Sequence, residues 1–192
     1  VHYAPFPVVL DANVLIPLTL CDALLGAAEE GLIQIYWSEE ILEEVRRNLV
    51  EKIGLTEAKA VRRVSTMREF FPQAMVTGYE QQMRAMTNHP KDRHVLAVAT
   101  HVGAQTIVTN NLRDFGAEHL PRSMQAQDAD TFLRNLLSQA PIVMIELLRS
   151  QAEIRKNPPV TFKRLLEGLE KSVPKFVEEV REFLPPSPLV DH

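Results

Sequence analysis

His89–Phe115 reads HPKDRHVLAVATHVGAQTIVTNNLRDF, a run in which the spacing of apolar residues separates a helix, a turn and a strand. Val95, Leu96 and Ala99 follow Asp92 at i+3, i+4 and i+7, so a helix over Lys91–Val102 has one apolar face, entered through Pro90. Gly103 suits its left-handed close. Gln105–Thr109 (QTIVT) is then a short β-branched run, the pattern of a strand buried on both faces of a parallel sheet.

The same reading extends outward. Phe6–Leu10 (FPVVL) and Ile33–Trp37 are further buried strands, and Ala74–Thr77 is a weaker one. Between them the pattern predicts helices over Asn13–Glu30, over Glu39–Ile53 after the candidate N-cap Ser38, and over Glu57–Phe71 after Thr56. Strands alternating with helices of this length indicate an α/β sandwich around a mostly parallel sheet. After residue 127 only helices are predicted, over Asp128–Gln139, Ile142–Lys156, Thr161–Lys171 and Lys175–Leu184, separated by Pro141, Pro158, Pro159 and Pro174. The expected organisation is an α/β domain over residues 1–125, an all-helical appendage over 126–184 and an extended tail over 185–192.

Charge is distributed unevenly. The 192 residues carry a net −4, which argues against a basic nucleic-acid coat protein but not against a nuclease with an acidic metal site. Residues 1–44 hold eight acids and no Lys or Arg, whereas residues 46–68 hold seven basic residues and two acids. One cysteine, Cys21, can form neither an internal disulfide nor a thiolate zinc site, and it reads as a small buried apolar residue. No apolar run approaches the ~20 residues of a membrane span, and no signal-peptide pattern opens the chain, so a cytoplasmic protein without membrane association is expected.

Three aspartates sit where a parallel sheet gathers its ligands. Asp11 follows the first strand and Asp114 lies just beyond Thr109, both at the carboxyl ends of strands. Asp92 shares the inward face of its helix, where a carboxylate is costly unless paired, capped or bound to metal. Plainer roles exist for each: Asp11 satisfying turn amides, Asp92 stabilising a helix start, Asp114 pairing with Arg113 or Lys91. On the helix SEEILEEVRRNL, Glu43 and Glu44 flank the apolar stripe from opposite edges, and periodicity does not choose between them.

In this order VVLDANVL, SEEILEEVRRNL and HPKDRHVLAVATHVGAQTIVTNNLRDF, spanning about residues 6–125, resemble the PIN domain family of metal-dependent ribonucleases, especially the VapC-type toxins of toxin–antitoxin pairs. The resemblance implies a three-layer α/β sandwich. It places the family's four acidic residues at Asp11, Glu44, Asp92 and Asp114, and its supporting polar residues at Asn13, Thr109 and Asn111. It also implies an RNA substrate, a cognate antitoxin, a homodimer and one or two Mg²⁺ or Mn²⁺ ions. Residue 12 is Ala where many relatives carry Ser or Thr, a lost supporting hydroxyl, and the helices beyond residue 125 exceed the minimal domain.

Hard oxygen donors suit Mg²⁺ or Mn²⁺, and four converging carboxylates repel one another without such ions. On this reading Asp11, Asp92 and Asp114 contact the metal or its waters, Glu44 orients a water or holds a second ion, and cleavage leaves 5′-phosphate and 3′-hydroxyl ends. Lys59, Arg62, Arg63 and Arg68 form a candidate RNA-binding face or, alternatively, a solvated surface balancing the acids before it. His89, His94, His101 and His119 contain no i, i+4 pair, so no dedicated histidine–metal centre is expected.

Apolar repeats such as Leu133, Leu136 and Leu137 or Phe176, Val177 and Val180 either cover the α/β domain or meet a dimer mate or antitoxin. A degenerate PIN module binding RNA or protein without catalysis is the alternative, and it predicts missing acids. A haloacid-dehalogenase-like phosphatase is disfavoured because Asn13 stands where that family needs a second Asp. No G-x-S-x-G elbow or Gly-rich phosphate loop is present.

Overall fold

The computed structural model describes residues 5–155 and 159–184; the expected tail from Pro185 and the last residue of the helix predicted to Lys156 lie outside them. The chain divides into two compact units, Val1–Ala129 and Asp130–His192. Among the described residues no helix is long and apolar enough to cross a membrane.

The first unit is built on a five-stranded sheet: β1 (Phe6–Leu10), β2 (Ile33–Ser38), β3 (Met75–Val76), β4 (Thr106–Val108) and β5 (Gln125–Gln127). All its pairings are parallel, in the order β3-β2-β1-β4-β5, so the sheet is wholly rather than mostly parallel. Val8, Val9 and Leu10 are fully buried, as a central strand covered on both faces requires. The connections are helical: α1 (Ala12–Leu15) and α2 (Leu18–Glu29) after β1, α3 (Glu39–Glu51) and α4 (Glu57–Phe70) after β2, and α5 (Glu80–Met83) and α6 (Arg93–Val102) after β3. Because the strand order reverses at β1, right-handed crossovers put α2, α3 and α4 on one face and α6 on the other, giving the three layers.

The predicted boundaries shift for identifiable reasons. The helix expected over Asn13–Glu30 breaks into α1 and α2 at Pro17, whose ring and missing N–H interrupt a helical ladder. Ser38 Oγ accepts from Ile41 N at 3.3 Å and Thr56 Oγ1 from Lys59 N at 3.4 Å, the two expected caps. Gly103 closes α6 at φ 65°, a conformation that favours glycine. Pro90–Asp92 forms a 3-10 turn ahead of α6 instead of its first α-helical turn. β5, which no sequence pattern announces, pairs with β4.

The second unit holds α7 from Asp130 onward (the helix runs Ala129–Gln139), α8 (Pro141–Ile154), α9 (Phe162–Glu170) and α10 (Pro174–Glu182). The Asp130 carboxylate accepts from the Phe176 and Lys175 amides at 2.7 and 3.1 Å, so an acid on one helix caps the start of another. Arg134–Glu179 and Arg181–Glu170 pairs add to these links.

Candidate metal centre

The reversal of strand order leaves a crevice at the carboxyl ends of β1 and β4, where open parallel sheets place their ligands. Asp11 leaves β1 at this crevice, and Thr109, Asn110 and Asn111 leave β4 beside it; Asp11 N donates to Val108 O at 3.1 Å.

Asp11 is buried and densely bonded. Its Oδ1 accepts from Ala12 N at 2.7 Å, while its Oδ2 accepts from Asn13 Nδ2 at 2.5 Å and from the Thr109 hydroxyl at 2.7 Å. It therefore does cap the short α1, as its plainer role requires. Asn13 Nδ2 also donates to Thr109 Oγ1 at 2.9 Å, and Asn13 Oδ1 accepts from Asn110 N. Burial pushes the Asp11 carboxyl above its ordinary range, and the Glu44 charge adds to this against the opposing Thr109 hydrogen bond.

Asp92 precedes α6 in the N-cap position, yet its side chain makes no cap hydrogen bond. It turns instead toward the other acids. Burial, followed by the charges of Asp11 and Asp114, lifts its carboxyl to about 6. Asp114 lies in the 3-10 turn Leu112–Phe115 and accepts from Asn111 Nδ2 at 2.7 Å, a bond that holds its carboxyl below the ordinary range. Its neighbour across the crevice is Asp92, not Arg113 or Lys91 alone.

The structure also separates the two glutamates that periodicity left equivalent. Glu43 is clasped by Arg46 at 2.6 and 2.8 Å at the rim. Glu44 turns inward, close enough for its charge to raise both Asp11 and Asp92, with Oε2 3.9 Å from His94 Nε2. Thus Glu44, Asp92, Asp114 and Asn111 border one crevice, with buried Asp11 behind it, near enough for its charge to act on Asp92 and bonded to Asn13 and Thr109. It opens into a groove of about 800 Å³.

Two histidines join the site without having been expected there. His94 is buried on α6 between Glu40 and Glu44, and its Nε2 has no hydrogen-bond partner. His89, at the head of the 3-10 turn, brings a ring nitrogen within 4.8 Å of carboxylate oxygens of Asp92 and Asp114. The proline turn places it there, whereas a search for i, i+4 pairs has no power to detect it.

Lys59, Arg62, Arg63 and Arg68 do not line the groove; its cations are Arg47, Lys52 and Lys91. Arg63 instead donates to the Leu15 and Ile16 carbonyls at 2.6 and 3.0 Å, and Arg68 pairs with Glu39. Lys59 and Arg62 are exposed on α4.

Comparison with known proteins accords with this arrangement. Residues 7–113 match the PIN domain and residues 129–182 match the VapC50 C-terminal domain. The chain is 35% identical over 113 residues to "Putative ribonuclease VapC50" of Mycobacterium tuberculosis, covering 58% of this chain and 67% of that protein. No solved structure matches.

Proposed function

The chain belongs to the PIN domain family, and from that premise we propose that it is a divalent-metal-dependent endoribonuclease of the VapC type, the toxin of a toxin–antitoxin pair. The observation that supports the reading is the crowding of carboxylates around Asp92, whose carboxyl is lifted to about 6 by burial and by the charges of Asp11, Asp114 and Glu44. Such crowding of carboxylates is unfavourable alone and relieved by a cation.

The donor set fits Mg²⁺ or Mn²⁺, held by Asp11, Asp92 and Asp114 with Glu44 alongside, in one or two ions. When bound, the cation supplies Lewis-acid polarisation of the phosphate and a nucleophile at neutral pH. The chain supplies the rest. Three donors on Asp11 fix the direction of its free lone pairs. Asn111 orients Asp114 in the same way. Glu44 Oε2 accepts the proton of the attacking water, and Arg47, Lys52 and Lys91 neutralise the phosphates of the strand laid in the groove. The P–O3′ bond breaks as the new P–O bond forms and the departing 3′ oxygen takes a proton from bulk water, so hydrolysis on this path leaves 5′-phosphate and 3′-hydroxyl ends.

The same reading assigns a cytoplasmic location, a homodimer, and an antitoxin that covers the acidic groove. The match of residues 129–182 to a VapC50 C-terminal domain favours toxin over a non-catalytic module, and no acid that such a module would lack is missing. Purified protein supplied with Mn²⁺ is expected to cut RNA, and Asp11→Ala or Asp92→Ala to reduce the rate about a hundredfold or more with folding intact. Either variant cutting at the wild-type rate overturns the assignment.

A further inference from the structure

We propose that His89 is a nitrogen ligand of the divalent cation, added to the acidic set, and that it biases the centre toward Mn²⁺ over Mg²⁺. The inference rests on the metal-site reading above and adds a residue to it. A ring nitrogen of His89 and one carboxylate oxygen each from Asp92 and Asp114 lie mutually within 4.8 Å, and His89 Nδ1 is 3.8 Å from Asp92 Oδ2. Donors at about 2.1 Å from one octahedral ion stand about 3.0 Å apart when adjacent and about 4.2 Å when opposite, so small side-chain rotations bring all three onto one cation.

His89 Nδ1 accepts from Lys91 N at 3.4 Å, a long bond that a cation taking the same lone pair replaces. Pro90 fixes the turn from which the ring projects, so its position is set by backbone rather than by a flexible stem. A second feature of the same groove points to a cation. His94 is buried with Nε2 unpartnered and directed at Glu44, an orphaned polar atom at the inner wall of an acidic crevice. Mg²⁺ takes oxygen donors almost alone, whereas the first-row transition ions accept imidazole nitrogen as well, Mn²⁺ the most weakly of the series. A carboxylate-only centre lacks that preference, and His89 confers it.

The test uses the whole 192-residue chain, metal-free and without RNA. Mn²⁺ binding is followed by electron paramagnetic resonance, Mg²⁺ by displacement of Mn²⁺, and the ligand atoms by the nitrogen modulation of bound Mn²⁺ in pulsed experiments. Wild type is expected to show ¹⁴N coupling that His89→Ala abolishes, with Mn²⁺ affinity falling about tenfold and Mg²⁺ affinity changing less than about twofold. His89→Gln, which keeps bulk at this half-exposed position, should behave as His89→Ala does. The proposal is overturned if bound Mn²⁺ shows no nitrogen coupling, or if the coupling survives His89→Ala and disappears in His94→Gln. In those cases loss of Mn²⁺ binding in Asp92→Asn keeps the acidic centre standing without His89. Unchanged Mn²⁺ affinity in both Asp92→Asn and Asp114→Asn overturns the centre itself.

Discussion

The Thr109 hydroxyl donates to Asp11 Oδ2 at 2.7 Å across 98 residues of sequence, joining the ends of the two strands between which the sheet reverses its order. Thr109 is fully buried and also accepts from Asn13 Nδ2 and Asn111 N, so one hydroxyl ties together Asp11, Asn13 and the turn that carries Asp114. Thr109→Val keeps the shape and removes those bonds. It should destabilise the protein by about 1–3 kcal/mol and weaken divalent-ion binding, whereas Thr109→Ser should retain most of both. Denaturant unfolding and a Mn²⁺ titration of the two variants check this; equal behaviour of Val and Ser refutes the role.

Asp92 makes the metal-free protein sensitive to pH. Its carboxyl titrates at about 6 when folded against an ordinary 3.8, so between these values the folded state holds more protons than the unfolded one. Stability from this group therefore falls as pH rises from about 4 to about 6, and stays low above. Asp92→Asn should stabilise the metal-free protein at pH 7 by about 1–2 kcal/mol after allowance for solvent screening, with the gain fading below pH ~4. Thermal unfolding in chelator at pH 4, 5.5 and 7 measures it. A gain independent of pH would rule out the charge explanation.

Glu43 and Glu44 are adjacent in sequence and unequal in position. Glu44→Gln should lower RNA cleavage by a factor on the order of 10²–10⁴ if it takes the proton, while Glu43→Gln, whose partner is Arg46 at the rim, should cost less than about threefold. Single-turnover cleavage separates the two, and an equal loss would move the proton acceptor elsewhere.

Basic residues should likewise separate by surface. Arg47→Gln and Lys52→Gln, taken together, should lower the slope of log affinity against log salt by about 0.7 per lost phosphate contact, measured with a non-cleavable single-stranded RNA. Lys59→Gln with Arg62→Gln should leave that slope unchanged. Arg63→Ala should instead appear as lost stability, about 1.5–3 kcal/mol, because its guanidinium serves the Leu15 and Ile16 carbonyls. A salt slope that responds only to the second pair would return the RNA to α4.

Much of the fold could be read from residues because the physics involved is local. Phe6–Leu10 is apolar and β-branched between turn formers, Ser38 and Thr56 cap the helices they precede, and Gly103 takes the left-handed turn that others avoid. Pro17 was equally local and should have ended the first helix. β5 is different: Gln125–Gln127 has no strand pattern, and only pairing with β4 makes it one. The site divides along the same line. Asp11, Asp92 and Asp114 could be placed from strand ends and a helix face. Periodicity alone did not choose Glu44 over Glu43, which the family resemblance did, and seeing His89 beside Asp92 required knowing what the Pro90 turn faces in three dimensions.

The strand order also constrains when the acidic site can assemble during synthesis of the chain. β2 and β3 can dock beside β1 as they emerge, but β4 must return to the opposite edge of β1, bringing Thr109 and Asp114 with it. Until then Asp11 lacks its Thr109 partner and the groove has no second wall. A growing chain that ends before β4 therefore carries three of the four acids without a centre, and the ribosome making it works beside an inert polypeptide.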